Sequence, residues 1–404
     1  MDGELELFTK ALGLYEPWKV TKVSFQNNEL QIDIKFEKGY KFENLDKEKI
    51  RAYDTKRKTW RHLNFFQYKT FIHCDVPRIK SSGNRINMVD VPWSREECGF
   101  TMLFESFILA LSKNMSISAV ANIVGENDTR IYRIIQHYVN VARAKQDLSN
   151  VENIGVDETS VSGHNYITVA VNHSNSSVFF VTDGKDNTTI DRIAEELVVK
   201  GNNCENIKTV TADMSTAFKN GVERNFKNAT LVFDKFHVTK LINEALDLVR
   251  KSEVKTNELL KKSKYLFLKR KDKLNQKNTE TLDNLLSDEF LKTGIAYKLK
   301  LQFQDIYDSK ISRYEAELRI RAWFKEVLAS GIKQMKNVAK KIAMKLHHIL
   351  NYFDNYNTNA RLEGINSKIQ LLKSRARGYK NIENFKTMIY FTCGKLDIDT
   401  SFQF

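Results

Sequence analysis

The chain has 404 residues, 42% of them hydrophobic and 28% charged, the proportions of a folded globular protein and not of a disordered one. Its 64 basic and 50 acidic side chains leave a net charge of +14, which points to a polyanionic partner. No stretch approaches the ~20 apolar residues of a membrane span, and four widely spaced cysteines without a CxxC argue against a disulfide scaffold or a sequence-evident zinc site.

The start, MDGELELFTKALGLYEPW, is acidic where a secretory signal is basic, so a cytoplasmic protein is expected. Residues 1–96 read as β-rich, with the alternating segments VTKVSF, LQIDIKF and FFQYKTFIHC. From Phe100 the pattern turns helical. In MSISAVANIVGENDTRIYRIIQHYV (115–139) a short helix follows the cap Ser118, a GEN turn intervenes, and a second helix begins at the cap Asp128. Ile131, Ile134, Ile135, Tyr138 and Val139 share one face of that helix, leaving Arg130, Arg133, Gln136 and His137 outward. This is the spacing of a helix-turn-helix, whose second helix enters a major groove. Two packed helices of a bundle would give the same short pattern.

From about 151 the period changes to strands: ENIGVDE, YITVAVN and SVFFVTD, at hairpin-like spacing. A helix near 188–200, the strand IKTVTAD, a helix from Ser215 and the strand TLVFD follow. After Phe236 the chain is helical and highly charged to about 345. A last helical block carries NARLEGINSKIQLLKSRARGYKN. This is the element order of a ribonuclease-H-like α/β fold, a mixed sheet whose first and fourth strands are neighbours. Those two strands end in Asp157 and Asp213, 56 positions apart, which are therefore expected side by side at one edge of the sheet.

Paired carboxylates on a shared ion are what two-metal phosphoryl transfer requires, and Mg²⁺ takes oxygen ligands while keeping part of its water shell. A third carboxylate is expected from a later helix. Glu363, 150 positions beyond Asp213, is the best candidate, with Glu158, Asp183 and Asp234 as competitors. Two basic runs flank these motifs. Arg250 to Lys277 holds eleven Lys or Arg against three acids, and Lys368 to Lys380 holds five and no acid. Together they suggest contact with DNA phosphates.

The motifs GVDETS, GHNYITV, DMSTAF, FDKFHV and TNARLEGINSKIQLLKSRARGYKN resemble the DDE transposases of the ISL-three family of bacterial insertion sequences. TWRHLNFFQYKTFIH, VPRIK and VPWSREECGFT extend the resemblance over nearly the whole chain. It implies an α/β multidomain protein: a β-rich zinc-ribbon-like domain (1–96), a helix-turn-helix (97–148), a ribonuclease-H-like core (149–245), an all-α insertion (246–345), and the last part of the core with the catalytic Glu (346–404). It also implies Asp157, Asp213 and Glu363 as a metal-binding catalytic triad served by Mg²⁺, with Mn²⁺ as a substitute. Related transposases carry an Asp or Cys, two residues, then His after the second Asp; Asp234 and His237 fit that pattern near the site.

One departure stands out. Family members usually begin with a zinc ribbon, CxxC followed by CxxH, and those positions fall here on Glu43, Asp46, Ser81 and Asn84. No thiolate remains among them, so no zinc is expected. Trp323, in the insertion segment RIRAWFKEVL, is a candidate for stacking on a flipped base. A buried core tryptophan is the plainer reading.

The expected activity is strand cleavage at the ends of an insertion sequence, followed by attack of the exposed 3′-hydroxyl on target DNA. The expected partner is double-stranded DNA, both element ends and target, bound by a homodimer or higher oligomer with no membrane involved. Arg130 and Arg133 would face a groove, while Lys368, Lys373, Arg375 and Arg377 would track phosphates. Two alternatives are a transposase-derived DNA-binding protein without catalysis and a structure-specific nuclease of the same fold, which would join nothing.

Overall fold

The structure, a computed structural model, describes residues 2–44, 47–80, 85–163, 165–354 and 359–398. It is a mixed α/β protein of two compact units, one ending at Tyr138 and including Ile398, the other Val139–Asp397. Among the described residues no helix is long and apolar enough to cross a membrane.

The first unit opens with helix α1 (Asp2–Ala11), an addition to the expected β-rich segment. Strands β1 (Trp18–Gln26) and β2 (Glu29–Phe36), the small hairpin β3 (Lys41–Glu43) and β4 (Lys49–Arg51), then β5 (Asp54–Phe65), β6 (Tyr68–Lys80) and β7 (Ile86–Met88) follow. The main sheet runs β1-β2-β6-β5, with β7 on β6. Period-2 alternation sends Leu30, Ile32 and Ile34 of β2 inward. There they meet a tryptophan cluster in which Trp93 packs edge-to-face on both Trp18 (5.1 Å) and Trp60 (5.5 Å). The segment FFQYKTFIHC, expected as one strand, instead contains the turn between β5 and β6, with Phe66 at φ 52.

Three helices complete this unit: α2 (Met102–Ser112), α3 (Ile117–Val124) and α4 (Asp128–Ala144), the last running on across the boundary at Tyr138. The helix-turn-helix spacing is present, but both caps differ from expectation. Ser116, not Ser118, accepts from the Ala119 amide, because buried Ile117 already belongs to the helix. Asn127, not Asp128, accepts from the Thr129 amide at 3.0 Å. Gly125, at φ 67, closes α3 in the left-handed conformation that glycine adopts without penalty. Ile131, Ile134, Ile135 and Val139 are buried, as the period of 3.6 requires.

The second unit begins with β8 (Asn153–Ser162), β9 (Asn165–Asn172) and β10 (Ser177–Asp183). Helix α5 (Asn187–Val199), β11 (Thr209–Ala212), α6 (Thr216–Asn225) and β12 (Thr230–Phe233) follow. The sheet order is β10-β9-β8-β11-β12. β8, β9 and β10 pair antiparallel; β11 pairs parallel with both β8 and β12. The first and fourth strands are therefore neighbours, as the element order predicts. Near-continuous apolar runs in β9 and β10 fit a sheet covered on both faces.

Helix α7 (Lys235–Glu253) leads into α8 (Lys264–Leu268), α9 (Gln276–Leu286), α10 (Lys292–Asp308), α11 (Arg313–Ala329), α12 (Lys333–Met344) and α13 (Leu346–Leu350). Helices α14 (Asn359–Arg375) and α15 (Ile382–Cys393) return to the sheet. One apolar core runs from the sheet (Val156, Phe179, Phe233) into these helices (Leu246, Phe303, Ile342).

Candidate active site

Asp157 is not at the tip of its strand. Its neighbour Val156 pairs with Ala212, the last residue of β11, whereas β8 continues beside β9 through Ser160 opposite Tyr166. Asp157 therefore lies where β11 leaves the sheet and β8 does not, in the notch beside the strand end. It is buried, 9% exposed, with one carboxylate oxygen accepting from the Glu158 amide at 2.8 Å and the other from the Asn366 side chain. Burial pushes its carboxyl up to about 6, against the opposing pull of His237 and helped by the negative charge of Asp234.

Asp213 follows β11 directly and Asp234 follows β12, so two neighbouring parallel strands deliver carboxylates to the same edge. Asp213 accepts from the Met214 amide. Asp234, also buried, caps α7 by accepting from the Phe236 amide at 2.9 Å. Its carboxyl is raised chiefly by burial, with the Asp213 charge adding to the effect. His237, in the first turn of α7, sets its Nδ1 3.5 Å from Asp213 Oδ1 and 3.8 Å from Asp234 Oδ2. Lys345 approaches from the other side, its ammonium donating to the Met214 carbonyl. Burial lowers its pKa while Asp213 opposes that.

Helix α14 runs alongside β8. The Leu362 side chain lies over Gly155, Asn366 reaches Asp157, and the Lys373 ammonium donates to the Ser160 carbonyl. Glu363 is exposed. Three residues before Asn366, it sits about one turn back and roughly 60° round the helix from the side chain that touches Asp157. The structure thus gathers Asp157, Asp213, Asp234 and His237, and brings the helix carrying Glu363 to them. Among the described residues no three acidic, histidine or cysteine side chains are close enough to hold a metal ion by themselves.

The other candidates fall elsewhere. Successive strand residues face opposite sides of a sheet, so Glu158 points away from Asp157 and pairs with Lys185 at 3.8 Å. Asp183 pairs with Lys386 at 2.9 Å. Trp323 is 2% exposed, donates its indole N–H to the Leu299 carbonyl and packs on Phe303 at 4.7 Å, so its ring has no free face for a base. Arg133 is exposed on α4 as expected. Arg130 is exposed as well, and lies over the Phe100 ring at 4.2 Å while pairing with Glu126. Lys368 and Arg377 are exposed and Arg375 is partly covered, while Lys373 is occupied by its contact with β8. Glu43 is exposed on β3; Asp46, Ser81 and Asn84 lie outside the described residues.

The family described as "Transposase", comprising the DDE transposases of the ISL-three group, matches residues 154–389, more than half of the chain and the whole strand-and-helix framework around these acids. The chain belongs to the ISL-three family of DDE transposases. The helix-turn-helix domain of transposase family ISL3 matches residues 89–139, so this transposase carries a DNA-binding helix-turn-helix domain over α2, α3 and most of α4. Relatives agree. The transposase for insertion sequence element IS1001 of Bordetella parapertussis is 24% identical over 347 residues, 83% of this chain and 84% of that protein. The transposase for insertion sequence element IS1557 of Mycobacterium tuberculosis, in two strains, is 26% identical over 194 residues, 48% of this chain and 43% of that protein.

A DDE transposase domain uses divalent metal. Asp157 and Asp234 are buried carboxylates raised in pKa, and among the described residues neither has a Lys or Arg partner. Carboxylate oxygens not already taken up by a Lys or Arg ion pair fit a hard divalent cation. Asn366 is the site residue that the sequence reading missed. Its signal was its position three residues after Glu363, on adjoining faces of one helix.

Proposed function

We propose that this transposase cuts DNA at the ends of its insertion sequence and transfers the exposed 3′-hydroxyl to target DNA, with Asp157, Asp213 and Glu363 holding Mg²⁺ or, in its stead, Mn²⁺. The observation that carries this reading is the convergence of Asp157 and Asp213 from adjacent parallel strands, one strand spacing of about 4.8 Å apart. The strand order, three antiparallel strands followed by two parallel ones, supports a ribonuclease-H-like core. When bound, divalent ions supply Lewis-acid activation of the attacking oxygen and charge stabilisation of the leaving one.

The chain's own residues orient this centre. Asn366 donates to one oxygen of Asp157 and leaves that carboxylate a single orientation. Asp234 caps α7 and so fixes His237 beside Asp213, in reach of a scissile phosphate. Lys373 ties α14, and with it Glu363, to β8. The helix-turn-helix presents Arg133 to a groove of the element end, and Lys368, Arg375 and Arg377 follow phosphates. A homodimer or higher oligomer would join both ends.

The test uses duplex DNA bearing the inverted repeats that flank the gene. Asp213→Asn should abolish Mg²⁺-dependent strand cleavage while end binding stays nearly unchanged. Asp234→Asn, which keeps a side-chain oxygen for the cap, should leave measurable cleavage. If the Asp213 variant still cuts and the Asp234 variant does not, the roles of the two acids are reversed. A wild-type chain that binds ends and never cuts would instead mark a DNA-binding protein without catalysis.

A further inference from the structure

Next to Asp213, between the first half of α7 and the end of α12, lies an open cavity of about 490 Å³. Small-ligand pockets occupy roughly 300–1,000 Å³, so it has room for one nucleotide. Lys240 comes to it from α7 and Lys341 from α12, with Lys345 immediately beyond and His237 on the side of the carboxylates. Leu241 and Met344 form an apolar wall, Met344 being 78% exposed; Glu244, one turn beyond Lys240 on α7, lines it as well.

The lysines differ in occupation. Lys345 is held by the Met214 carbonyl and the Asp213 charge. Lys240 and Lys341 are exposed, and among the described residues neither has a carboxylate within ion-pairing distance. Two helices far apart in sequence thus bring two lysines that make no ion pair among the described residues, and an apolar wall, to one concave surface beside Asp213. Concave surfaces lined with like charge concentrate counter-ions and substrates of the opposite sign.

We propose that this cavity is a nucleotide subsite, which receives one nucleotide of the DNA strand next to the cleaved phosphodiester. Lys240 and Lys341 contact its phosphate, and Leu241 and Met344 lie against its base. The proposal rests on the reading of the Asp157–Asp213 edge as the cleavage centre. Lysine acts on phosphate as a point charge and an apolar wall accepts any base face, so this subsite positions the strand without reading sequence. The helices between β12 and α14 thereby acquire a role: they deliver Lys341 and Met344 to the carboxylates.

The experiment neutralises phosphates one at a time. End-bearing duplexes carry a single methylphosphonate at successive positions around the cut, and are assayed with the full chain for equilibrium binding and, in Mg²⁺, for KM and kcat. In wild type, one methylphosphonate within a nucleotide or two of the cut should raise Kd and KM about tenfold, the worth of one charge-assisted contact. Lys240→Ala with Lys341→Ala should raise both by about as much on unmodified DNA of any sequence. Because both lysines meet one phosphate, the pair should lower the slope of log affinity against log salt by about 1, and that same methylphosphonate should then cost nothing further. Lys→Arg at both positions should restore the wild-type values, which a merely structural role would not predict. Full additivity of every methylphosphonate with the lysine changes, or wild-type KM and Kd in the double variant, overturns the subsite. Wild-type chain that binds but does not cut overturns the cleavage reading instead, and non-additivity in binding still decides the cavity.

Discussion

Asp157 concentrates the chemistry of the site in one side chain. Its carboxyl, ordinarily near 3.8, is pushed up to about 6 by burial, so ionising it costs the folded protein stability. The sign follows directly. Below about pH 4 the group is protonated folded and unfolded, and the cost is absent. Between about 4 and 6 the unfolded chain releases the proton more readily than the folded one, and stability falls as pH rises; above 6 the cost is constant. Asp157→Asn should therefore melt with wild type near pH 4 and above it at pH 7, in EDTA. Millimolar Mg²⁺ should then raise the melting temperature of wild type and not of the variant, because a ligand stabilises only the state that binds it. A difference between the two proteins that does not change with pH would refute this account of Asp157.

Among the elements, the contact of β8 with α14 decides whether Asn366 and Glu363 reach the carboxylates. Gly155 permits it. A Cβ there would lie 2.8 Å from the His173 ring and 3.2 Å from Leu362, inside van der Waals contact with two buried side chains. Gly155→Ala should push α14 from the sheet, cost roughly 1–3 kcal/mol as overpacking does, and reduce cleavage while end binding persists. Urea denaturation and nicking measured on the same preparation check this, and unchanged values for both would show that α14 is positioned by other contacts. A similar division applies to α4. Arg130, though exposed, is engaged with Phe100 and Glu126, whereas exposed Arg133 makes no ion pair among the described residues. Arg133→Ala should cut the preference for element ends over random DNA by about tenfold, the worth of one base contact. Arg130→Ala should lower the melting temperature more than the preference. Competition binding and thermal melting separate the two, and the opposite ranking would exchange their roles.

For the molecule as a whole, stability comes from apolar burial within each unit. The sheet of the first unit is held by the Trp18–Trp60–Trp93 cluster and the inward side chains of β2 and β6. Its thiols are engaged elsewhere: Cys74 is buried and Cys98 donates to Glu105. A fold that rests on apolar burial does not need metal, unlike zinc modules that unfold without it. Purified protein should contain no stoichiometric zinc by elemental analysis, and chelation should leave the melting of this unit unchanged. One tightly held zinc per chain would show that other side chains have taken over the ribbon's ligands.

By itself the sequence determined what neighbouring residues can encode. The apolar runs of β8 to β12 and their spacing marked the strands, and their order along the chain, that of a ribonuclease-H-like fold, led to the expectation that the first and fourth are neighbours. The acids after VTA and LVF could be assigned to one sheet edge because a strand's end is written in its own hydrophobic limit. The isoleucine stripe of α4 was legible for the same reason. What the tertiary structure alone decided depends on residues far apart in the chain. Asp157 proved to lie mid-strand because β9, and not β8's own sequence, carries the pairing on to Ser160. Trp323 is sealed by helix α10, Arg130 lies over the Phe100 ring, and Asn366 meets Asp157 where the Leu362 side chain of α14 lies over Gly155. Local periodicity fixes which face of an element is apolar; which polar side chains then meet is set by close packing between elements, to which no short stretch of sequence refers.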